Sequence, residues 1–155
     1  MKNFSLQRSE DLNLLYTKKH KNLLSLFLPI TDPQKTYEKI IQLGKSVAPP
    51  QEDIKKEEFL IEGCQSISYL SSQLQSNGNI FYQVHSEALI SLGLASLLLS
   101  IYQDEPIQLI LLYPPLFIQE LGLNTSLSPG RSNGLASMYA KMKNDALALI
   151  IKANK

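Results

Sequence analysis

The segment from Ala88 to Ile101 constrains this chain most, because it is apolar on nearly every side of the helix that its spacing predicts. Such a helix has no face suited to water, so the rest of the chain must surround it. The run is also too short to span a bilayer, which takes about 20 residues. We therefore expect a buried central helix over residues 87–102, with Ser86 as its N-cap. Its apolar side chains are Leu89, Ile90, Leu92, Leu94, Leu97, Leu98, Leu99 and Ile101.

Two helices are expected before the central helix. Apolar positions at helical spacing predict an N-terminal helix over residues 9–28. A second helix begins where Asp32 can act as a cap and Pro33 suits the first turn. It is expected to end near Gly44, because glycine is favoured at the C-terminal end of a helix.

Prolines mark the elements that follow the central helix. Pro106 opens one short helical piece, and Pro114-Pro115 opens another that is expected to end near Gly122. Ser128 and Pro129 then form the cap and the first turn of a long C-terminal helix.

Between the second and the central helix, the periodicity changes to that of strands. Ile67 and Tyr69 alternate with serines, and alternation resumes from Ile80 to Val84. The dipeptide Asn77-Gly78 between them strongly favours a tight turn. These features predict an antiparallel hairpin, and Phe59 to Ile61 is a candidate for a third strand.

The order of these elements predicts an α+β fold. It consists of a small antiparallel sheet of about three strands, with helices packed on one face and a long C-terminal helix. At 155 residues, the chain is expected to form a single domain, residues 1–155.

Charge and cysteine content narrow the functional classes. Lys and Arg number 15 against 14 Asp and Glu, so a net charge of +1 provides no strong field toward nucleic acid or an acidic membrane. One cysteine cannot form an internal disulfide, and no small-residue cleavage site follows the apolar stretch at 22–30. We expect a cytoplasmic protein with neither a nucleic-acid nor a membrane partner.

The single cysteine, Cys64, is the first candidate for chemistry. It lies in Glu62-Gly63-Cys64-Gln65-Ser66, just before a predicted strand, and Gly63 allows a sharp bend. This placement would present the thiol to a partner at the end of the sheet. Free cysteines also act as small buried hydrophobic residues, and a reactive thiol needs a lowered pKa. The residues alone leave both interpretations open.

His85 and Glu87 offer two further alternatives. Antiparallel pairing could bring His85 to Cys64 as the base of a nucleophilic hydrolase. A metal site would require Cys64, His85 and Glu87 to converge, and no ligand spacing in the sequence indicates one.

Arg131 lies near the start of the long C-terminal helix, where the helix dipole disfavours a positive charge. A cation at this position suggests a specific hydrogen-bonding partner, or a role in ordering a loop or attracting an anion. An ordinary exposed arginine remains the alternative.

In four blocks that occur in order, the chain resembles the SufE/CsdE family of sulfur acceptors over about residues 37–146. The blocks are Leu43-Gly44-Lys45 with Pro49-Pro50, then Gly63-Cys64-Gln65-Ser66, then Ser86-Glu87-Ala88 through Gly93-Leu94, and finally Leu121-Gly122-Leu123 with Leu127-Ser128-Pro129-Gly130-Arg131-Ser132-Asn133-Gly134-Leu135 and Met138.

The resemblance implies a sulfur carrier, and it favours an accessory protein that activates a cysteine desulfurase over a stand-alone enzyme. In such systems a SufS/CsdA-like cysteine desulfurase, which uses pyridoxal phosphate, forms a persulfide on its own cysteine. The acceptor cysteine, here Cys64, takes the outer sulfur as a transient persulfide and delivers it to an iron–sulfur scaffold. The carrier holds no permanent cofactor and usually activates the desulfurase. The residues expected around the thiol are Gly63, Gln65, Ser66, His85, Glu87 and Arg131.

The chain departs from the family pattern at several positions. It has Ile67-Ser68-Tyr69 where the family usually has Gln-Val-Trp, and His85-Ser86-Glu87 where it usually has Asp-Ser-Asp. Leu92 replaces a common lysine, Ser126 replaces a frequent histidine, and residues 1–12 read as an N-terminal extension. These changes near the docking surface keep open an alternative, in which the protein regulates a desulfurase without carrying sulfur.

Overall fold

The computed structural model describes residues 6–155, and within them it has the expected α+β architecture. The helices are α1 (Leu6–Phe27), α2 (Pro33–Lys45), α3 (Leu89–Tyr102), α4 (Ile107–Leu112), α5 (Phe117–Glu120), α6 (Leu123–Ser126) and α7 (Pro129–Ala153). The strands are β1 (Ser68–Leu74), β2 (Asn79–Ser86) and β3 (Glu105–Pro106), and a short 3-10 helix covers Glu57–Phe59. Residues 1–5 of the expected extension lie outside the described residues, and residues 6–12 belong to α1.

Helix α3 is the buried centre that its apolar composition predicts. Ile90, Leu94, Leu97 and Ile101 are at most 4% exposed, and α1, α2, α4 and α7 all contact this helix. Burial of one such side chain stabilises a fold by roughly 1.5–3 kcal/mol. Within residues 6–155, no helix combines the length and apolarity needed to cross a membrane.

The start of α3 differs from the prediction that Ser86 is its N-cap. Ser86 is the last residue of β2, where it pairs with Ser68, and the helix begins at Leu89 with Ala88 at the N-cap. The Ser86 hydroxyl accepts a hydrogen bond from the Ala88 N–H at 3.3 Å, so it stabilises the turn between strand and helix. Pairing with β1 holds Ser86 in the extended conformation, and the helix therefore begins further along the chain, at Leu89.

Helices α2 and α3 meet backbone to backbone. A Cβ atom built on Gly93 would collide with the Ile40 carbonyl, and one built on Gly44 would lie 2.7 Å from the Gly93 nitrogen. Gly44 was expected at the end of α2, which continues one residue further to Lys45. The second role of Gly44 is therefore to allow the close approach of the two helices.

Strands β1 and β2 form the predicted antiparallel hairpin around Asn77-Gly78, in a register that runs from Ser68 opposite Ser86 to Leu74 opposite Ile80. Gly78 has φ +87°, which a tight turn of this kind requires and glycine adopts readily. The inner face of the hairpin is buried against α3 and α7, and helices therefore cover one face of the sheet. The residues of this face include Ser68, Leu70, Ile80, Tyr82, Val84 and Ser86.

The third strand is not the segment that the sequence suggested. Phe59 ends the 3-10 helix, and Leu60 makes an isolated bridge to Tyr69. This contact stays short because the chain bends away at Gly63, which has φ +86°. The third strand is instead β3, which pairs antiparallel with the start of β2.

A side chain continues the edge of β2 beyond β3. Gln103 Nε2 donates to the Tyr82 carbonyl at 2.7 Å, and Gln103 Oε1 accepts from the Tyr82 N–H at 2.8 Å. The Gln103 amide thus satisfies both backbone groups that a neighbouring strand would otherwise pair.

The C-terminal third follows the proline pattern with one addition. Helix α4 begins directly after Pro106, and the Pro114-Pro115 segment leads into α5. A further short helix, α6, begins after Gly122. The predicted start of α7 is confirmed: Ser128 is the N-cap, and its hydroxyl accepts from the Arg131 N–H at 3.3 Å.

Candidate functional site

Cys64 lies in a loop between the 3-10 helix and β1, and this loop rests on the first turns of α7. We call residues 62–67 the cysteine loop. The Cys64 Sγ donates a hydrogen bond to the Gly134 carbonyl at 3.7 Å, and the side chain is half-buried. The bend expected at Gly63 is present, with φ +86°, a conformation that other residues rarely adopt. The loop therefore presents the thiol to α7 in this structure.

Glycines on α7 form the surface that receives the cysteine loop. A Cβ atom built on Gly134 would lie 3.5 Å from the Cys64 Sγ. One built on Gly130 would lie 2.5 Å from the Gln65 Oε1. Sequence reasoning placed both glycines in a family block but missed their contact with the loop. Their spacing of four residues was the available signal, because it puts them on one face of a helix.

Arg131 ties the cysteine loop to both α7 and α3. Its Nη1 atom donates to the Ser66 hydroxyl at 2.8 Å and to the Ser91 hydroxyl at 3.0 Å. Ser91 is buried in α3, so the guanidinium crosses from the helix start to the core. The structure thus gives this cation two specific hydroxyl partners, and it brings Arg131, Ser66 and the cysteine loop together.

Two buried serines, Ser68 and Ser86, lie next to the cysteine loop, and the sequence analysis did not name either as a site residue. Ser68 is fully buried, with its hydroxyl 2.8 Å from the Ser86 hydroxyl and 3.1 Å from the Ser66 carbonyl. The Ser86 hydroxyl lies 3.4 Å from the Ile67 carbonyl. The alternation with Ile67 and Tyr69 favoured the outer face for Ser68, but the structure buries Ser68 and exposes Ile67, so the sequence carried no signal for this serine.

Burial raises the pKa of the Cys64 thiol above its usual value. The Ser68 hydroxyl and the positive charge of Arg131 act to lower that pKa, but their effects are smaller than the effect of burial. At neutral pH the thiol is therefore protonated in this conformation, in agreement with its role as donor to the Gly134 carbonyl.

His85 lies on the outer face of the sheet, where it pairs with Tyr69 across the hairpin and its ring stacks on the Tyr69 ring at 6.4 Å. Successive residues of a strand point to opposite faces, and Ser86 next to it faces inward. Cys64 contacts α7 on the inner side, so the structure does not form the Cys64–His85 pair of a hydrolase.

Glu87 is exposed, and its backbone N–H donates to the Ile67 carbonyl at 3.2 Å. In the part of the chain that the structure describes, no group of three or more His, Cys, Asp or Glu side chains could hold a metal ion. The convergence of Cys64, His85 and Glu87 that a metal site would require is therefore not seen.

Comparison with known proteins gives a consistent result for sequence and for fold. The family model described as "SufE: Fe-S metabolism associated domain" matches residues 21–146, which include both Cys64 and Arg131. SufE-like protein 1, chloroplastic/mitochondrial, from Arabidopsis thaliana is 33% identical over 137 residues, or 88% of this chain. The alignment spans 37% of that relative's length, so the plant protein is considerably longer than the region it shares with this chain.

An uncharacterized SufE-like protein from Synechocystis sp. is 34% identical over 119 residues, which cover 76% of this chain and 74% of that protein. The solution structure of a hypothetical protein from Thermus thermophilus superposes with a TM-score of 0.71 at 21% identity. The match covers 86% of this chain and 96% of the other, and it shows that the two proteins share a fold.

Proposed function

This chain belongs to the SufE family of Fe-S metabolism associated domains, and on that basis we propose that Cys64 is a sulfur acceptor. The observation that carries the proposal is the position of the thiol. Cys64 is the chain's single cysteine, and it lies on a loop that bends at Gly63 and rests on the glycines of α7. Such a loop can hold a thiol at rest and present it to a partner.

The proposed step is a thiol–persulfide exchange that needs no external oxidant or reductant. The Cys64 thiolate attacks the outer sulfur of a persulfide on a partner's cysteine. A new S–S bond forms at Cys64, the partner's S–S bond breaks, and the partner's cysteine leaves as a thiolate. The sulfur that is carried keeps its oxidation state. A nearby second cysteine would attack the new persulfide and release sulfide, so a chain with one cysteine suits this role.

Because the pKa of Cys64 is raised, the thiol is protonated at rest, and a partner must change its surroundings before it can react. The thiolate is the nucleophile, and burial disfavours it. The contacts that hold the loop on α7 include the long bond from Cys64 to Gly134, the packing of Gln65 on Gly130, and the bond from Arg131 to Ser66. A partner that displaces the loop would return the thiol to water and thereby lower its pKa.

The partner that fits this chemistry is a cysteine desulfurase of the SufS/CsdA type, and the recipient is an iron–sulfur scaffold. The pyridoxal phosphate belongs to the desulfurase, which generates the persulfide. The accepting chain contributes the thiol, the loop that presents it and the hydroxyl and guanidinium groups around it.

The test is the intact mass of the protein after incubation with a cysteine desulfurase, pyridoxal phosphate and cysteine, without reductant. We expect a gain of one sulfur atom, mapped to Cys64 and removed by added thiol. The matched control is Cys64→Ser, which changes one atom at a half-buried position and should keep the melting temperature of the unmodified chain. It should show no mass gain.

Absence of a mass gain with a desulfurase that binds the protein would contradict the proposal. If that desulfurase were nevertheless activated, and activation survived Cys64→Ala, the protein would be a regulatory binding module. Measurement of desulfurase turnover with the two chains side by side separates these functions.

A further inference from the structure

A groove of about 410 Å³ lies at the edge of β2 that does not pair with β1, and we call it the β2 groove. Helices α1, α2 and α3 and residues 46–51 surround it, and apolar side chains such as Leu26, Leu43, Phe81 and Leu97 line it. In the part of the chain that the structure describes, no charged side chain lines this groove. A concave, mostly apolar site of this size is typical of ligand binding, and it suits a ligand without charge.

The backbone of Val84 faces the β2 groove with a donor and an acceptor. Tyr82 directs its N–H and its carbonyl away from β1, since both bond to the side chain of Gln103. The register with β1 continues without a bulge to Val84, and the backbone groups of residues two apart on a strand point to the same side. Val84 lines the groove, and no hydrogen bond from another described residue reaches its backbone on this side.

Residues 46–51 lie beside this edge but do not pair with it. The N–H groups of Ser46 and Val47 bond back to carbonyls of α2 at 3.1 and 3.3 Å. Pro49 and Pro50 have no N–H. The segment therefore lacks the run of donors that a neighbouring strand would supply, and it forms one side of the groove. The backbone pair on the edge of β2 stays open to a ligand.

The Gln103 side chain shows which group fits such a backbone pair. Its amide donates to the Tyr82 carbonyl at 2.7 Å and accepts from the Tyr82 N–H at 2.8 Å. A residue of an extended peptide presents the same combination, because its N–H and its carbonyl point to one side. The neighbours of that residue would place apolar side chains in the groove, as occurs when a peptide adds to a sheet edge. Because Gln103 already occupies the backbone of Tyr82, the pairing is limited to a short segment.

We propose that the β2 groove binds a short, uncharged and apolar peptide segment in an extended conformation, one residue of which pairs with the N–H and the carbonyl of Val84. The peptide chemistry follows from the open backbone pair, and the absence of charge follows from the lining. The site is separate from the proposed sulfur chemistry, because none of its lining residues belongs to the cysteine loop.

The experiment is a titration of the isotope-labelled protein with N-acetyl-leucyl-leucine amide, followed by NMR. We expect a saturable downfield shift of the Val84 N–H signal, because that proton gains a hydrogen bond. An analogue methylated at both leucine nitrogens should bind about two- to tenfold more weakly, as expected for the loss of one neutral hydrogen bond. An analogue with a free carboxylate in place of the terminal amide should also bind more weakly, because the uncharged groove does not stabilise its charge.

Ser96→Leu tests the position of the site. Ser96 lines the groove from α3, and its hydroxyl donates to the Gly93 carbonyl of the same helix at 2.6 Å. Leucine therefore fills the groove without loss of a hydrogen bond between elements, and the saturable shift should disappear. Ser25→Leu is the matched control, because Ser25 is exposed on α1 outside the groove and its hydroxyl makes the same kind of bond, to the Asn22 carbonyl at 2.6 Å. It should bind the peptide as the unmodified chain does.

Absence of a saturable shift at Val84 would overturn the proposal. Equal affinity for the peptide and its methylated analogue would also overturn it, since the groove would then take apolar molecules without backbone pairing, and this comparison uses the unmodified chain alone. Unchanged binding in Ser96→Leu would overturn it as well, because the peptide would then bind elsewhere. The titration requires neither a desulfurase nor a reactive thiol, so its result is independent of the sulfur-transfer test.

Discussion

Two pairs of glycines allow close contacts in this molecule, and they differ in what meets at each. At Gly44 and Gly93, helix backbone meets helix backbone in the core. At Gly130 and Gly134, the helix backbone meets the side chains of the cysteine loop. In the first contact Gly93 meets the fully buried Ile40, whereas Gln65 in the second contact is exposed.

The difference indicates that glycine allows a permanent contact between helices in the core and a reversible contact between α7 and the cysteine loop. Two backbones cannot move apart without separation of the helices to which they belong. A loop side chain that rests on a glycine can leave by rotation, and its place can be taken by water. The core contact thus defines the fold, and the α7 contact defines a position that the thiol can leave.

The largest effect is expected for Gly93→Ala, because the new methyl group would meet the Ile40 carbonyl and side chain. Overpacking of this kind costs typically about 1–3 kcal/mol, which should lower the melting temperature by roughly 2–12 °C in a protein of this size. Thermal unfolding followed by circular dichroism measures it. Since alanine normally stabilises a helix relative to glycine by about 1 kcal/mol, an unchanged melting temperature would show that α2 and α3 can separate freely.

Gly63→Ala should give a smaller loss of stability and a larger change in reactivity. A side chain at φ +86° strains the backbone by roughly 1–2 kcal/mol, and the new methyl group would lie 2.7 Å from the Ser137 hydroxyl. We expect the loop to shift from α7 and the alkylation of Cys64 at neutral pH to accelerate. The double substitution with Ser137→Ala removes the contact and isolates the backbone strain. Slower alkylation in Gly63→Ala would contradict a loop that can be lifted from α7.

Arg131→Gln tests the charge near the thiol. Glutamine lacks the positive charge that lowers the pKa of Cys64, and its shorter side chain does not reach the Ser66 and Ser91 hydroxyls as Nη1 does. The pKa of the thiol should rise further, and alkylation at neutral pH should slow about two- to threefold, as expected for a partly solvated charge interaction of about 0.2–1 kcal/mol. The pH profile of alkylation provides the measurement, with Arg131→Lys as the control that keeps the charge. A faster reaction in Arg131→Gln would mean that the arginine acts mainly to hold the loop down.

The smallest effect is expected for Gly134→Ala. The added methyl group would lie 3.5 Å from the Cys64 Sγ, which is ordinary van der Waals contact. The melting temperature should stay the same or rise slightly, because alanine favours the helix. Alkylation should slow by less than about twofold in the same assay. A fall in the melting temperature as large as that of Gly93→Ala would remove the distinction between the two glycine contacts.

The elements that were predicted correctly from the sequence are those determined by residues within them or next to them in the chain. Helix α3 follows from its own apolarity, the hairpin from Asn77-Gly78, and the start of α7 from Ser128 and Pro129. In each case the residues that determine the element belong to it or border it. The bend before Cys64 was predicted for the same reason, because Gly63 alone determines it.

What the sequence could not predict depends on partners distant in the chain. Ser86 resembles a helix cap until its pairing with Ser68 is known, and Glu105–Pro106 becomes a strand only because β2 lies beside it. The network around the thiol has the same origin. Ser66, Ser91 and Arg131 come from a loop and two helices, and no local pattern links them.

The Gln103 amide on the edge of β2 has a consequence for association between molecules. A strand that covered this edge would itself present a new row of unpaired N–H and C=O groups, which could template the addition of another chain. The Gln103 side-chain amide pairs with both the N–H and the carbonyl of Tyr82, and it presents no further row of backbone groups to another strand. At this point of the β2 edge the sheet stops growing, because the glutamine leaves no backbone groups of Tyr82 for another chain to pair with.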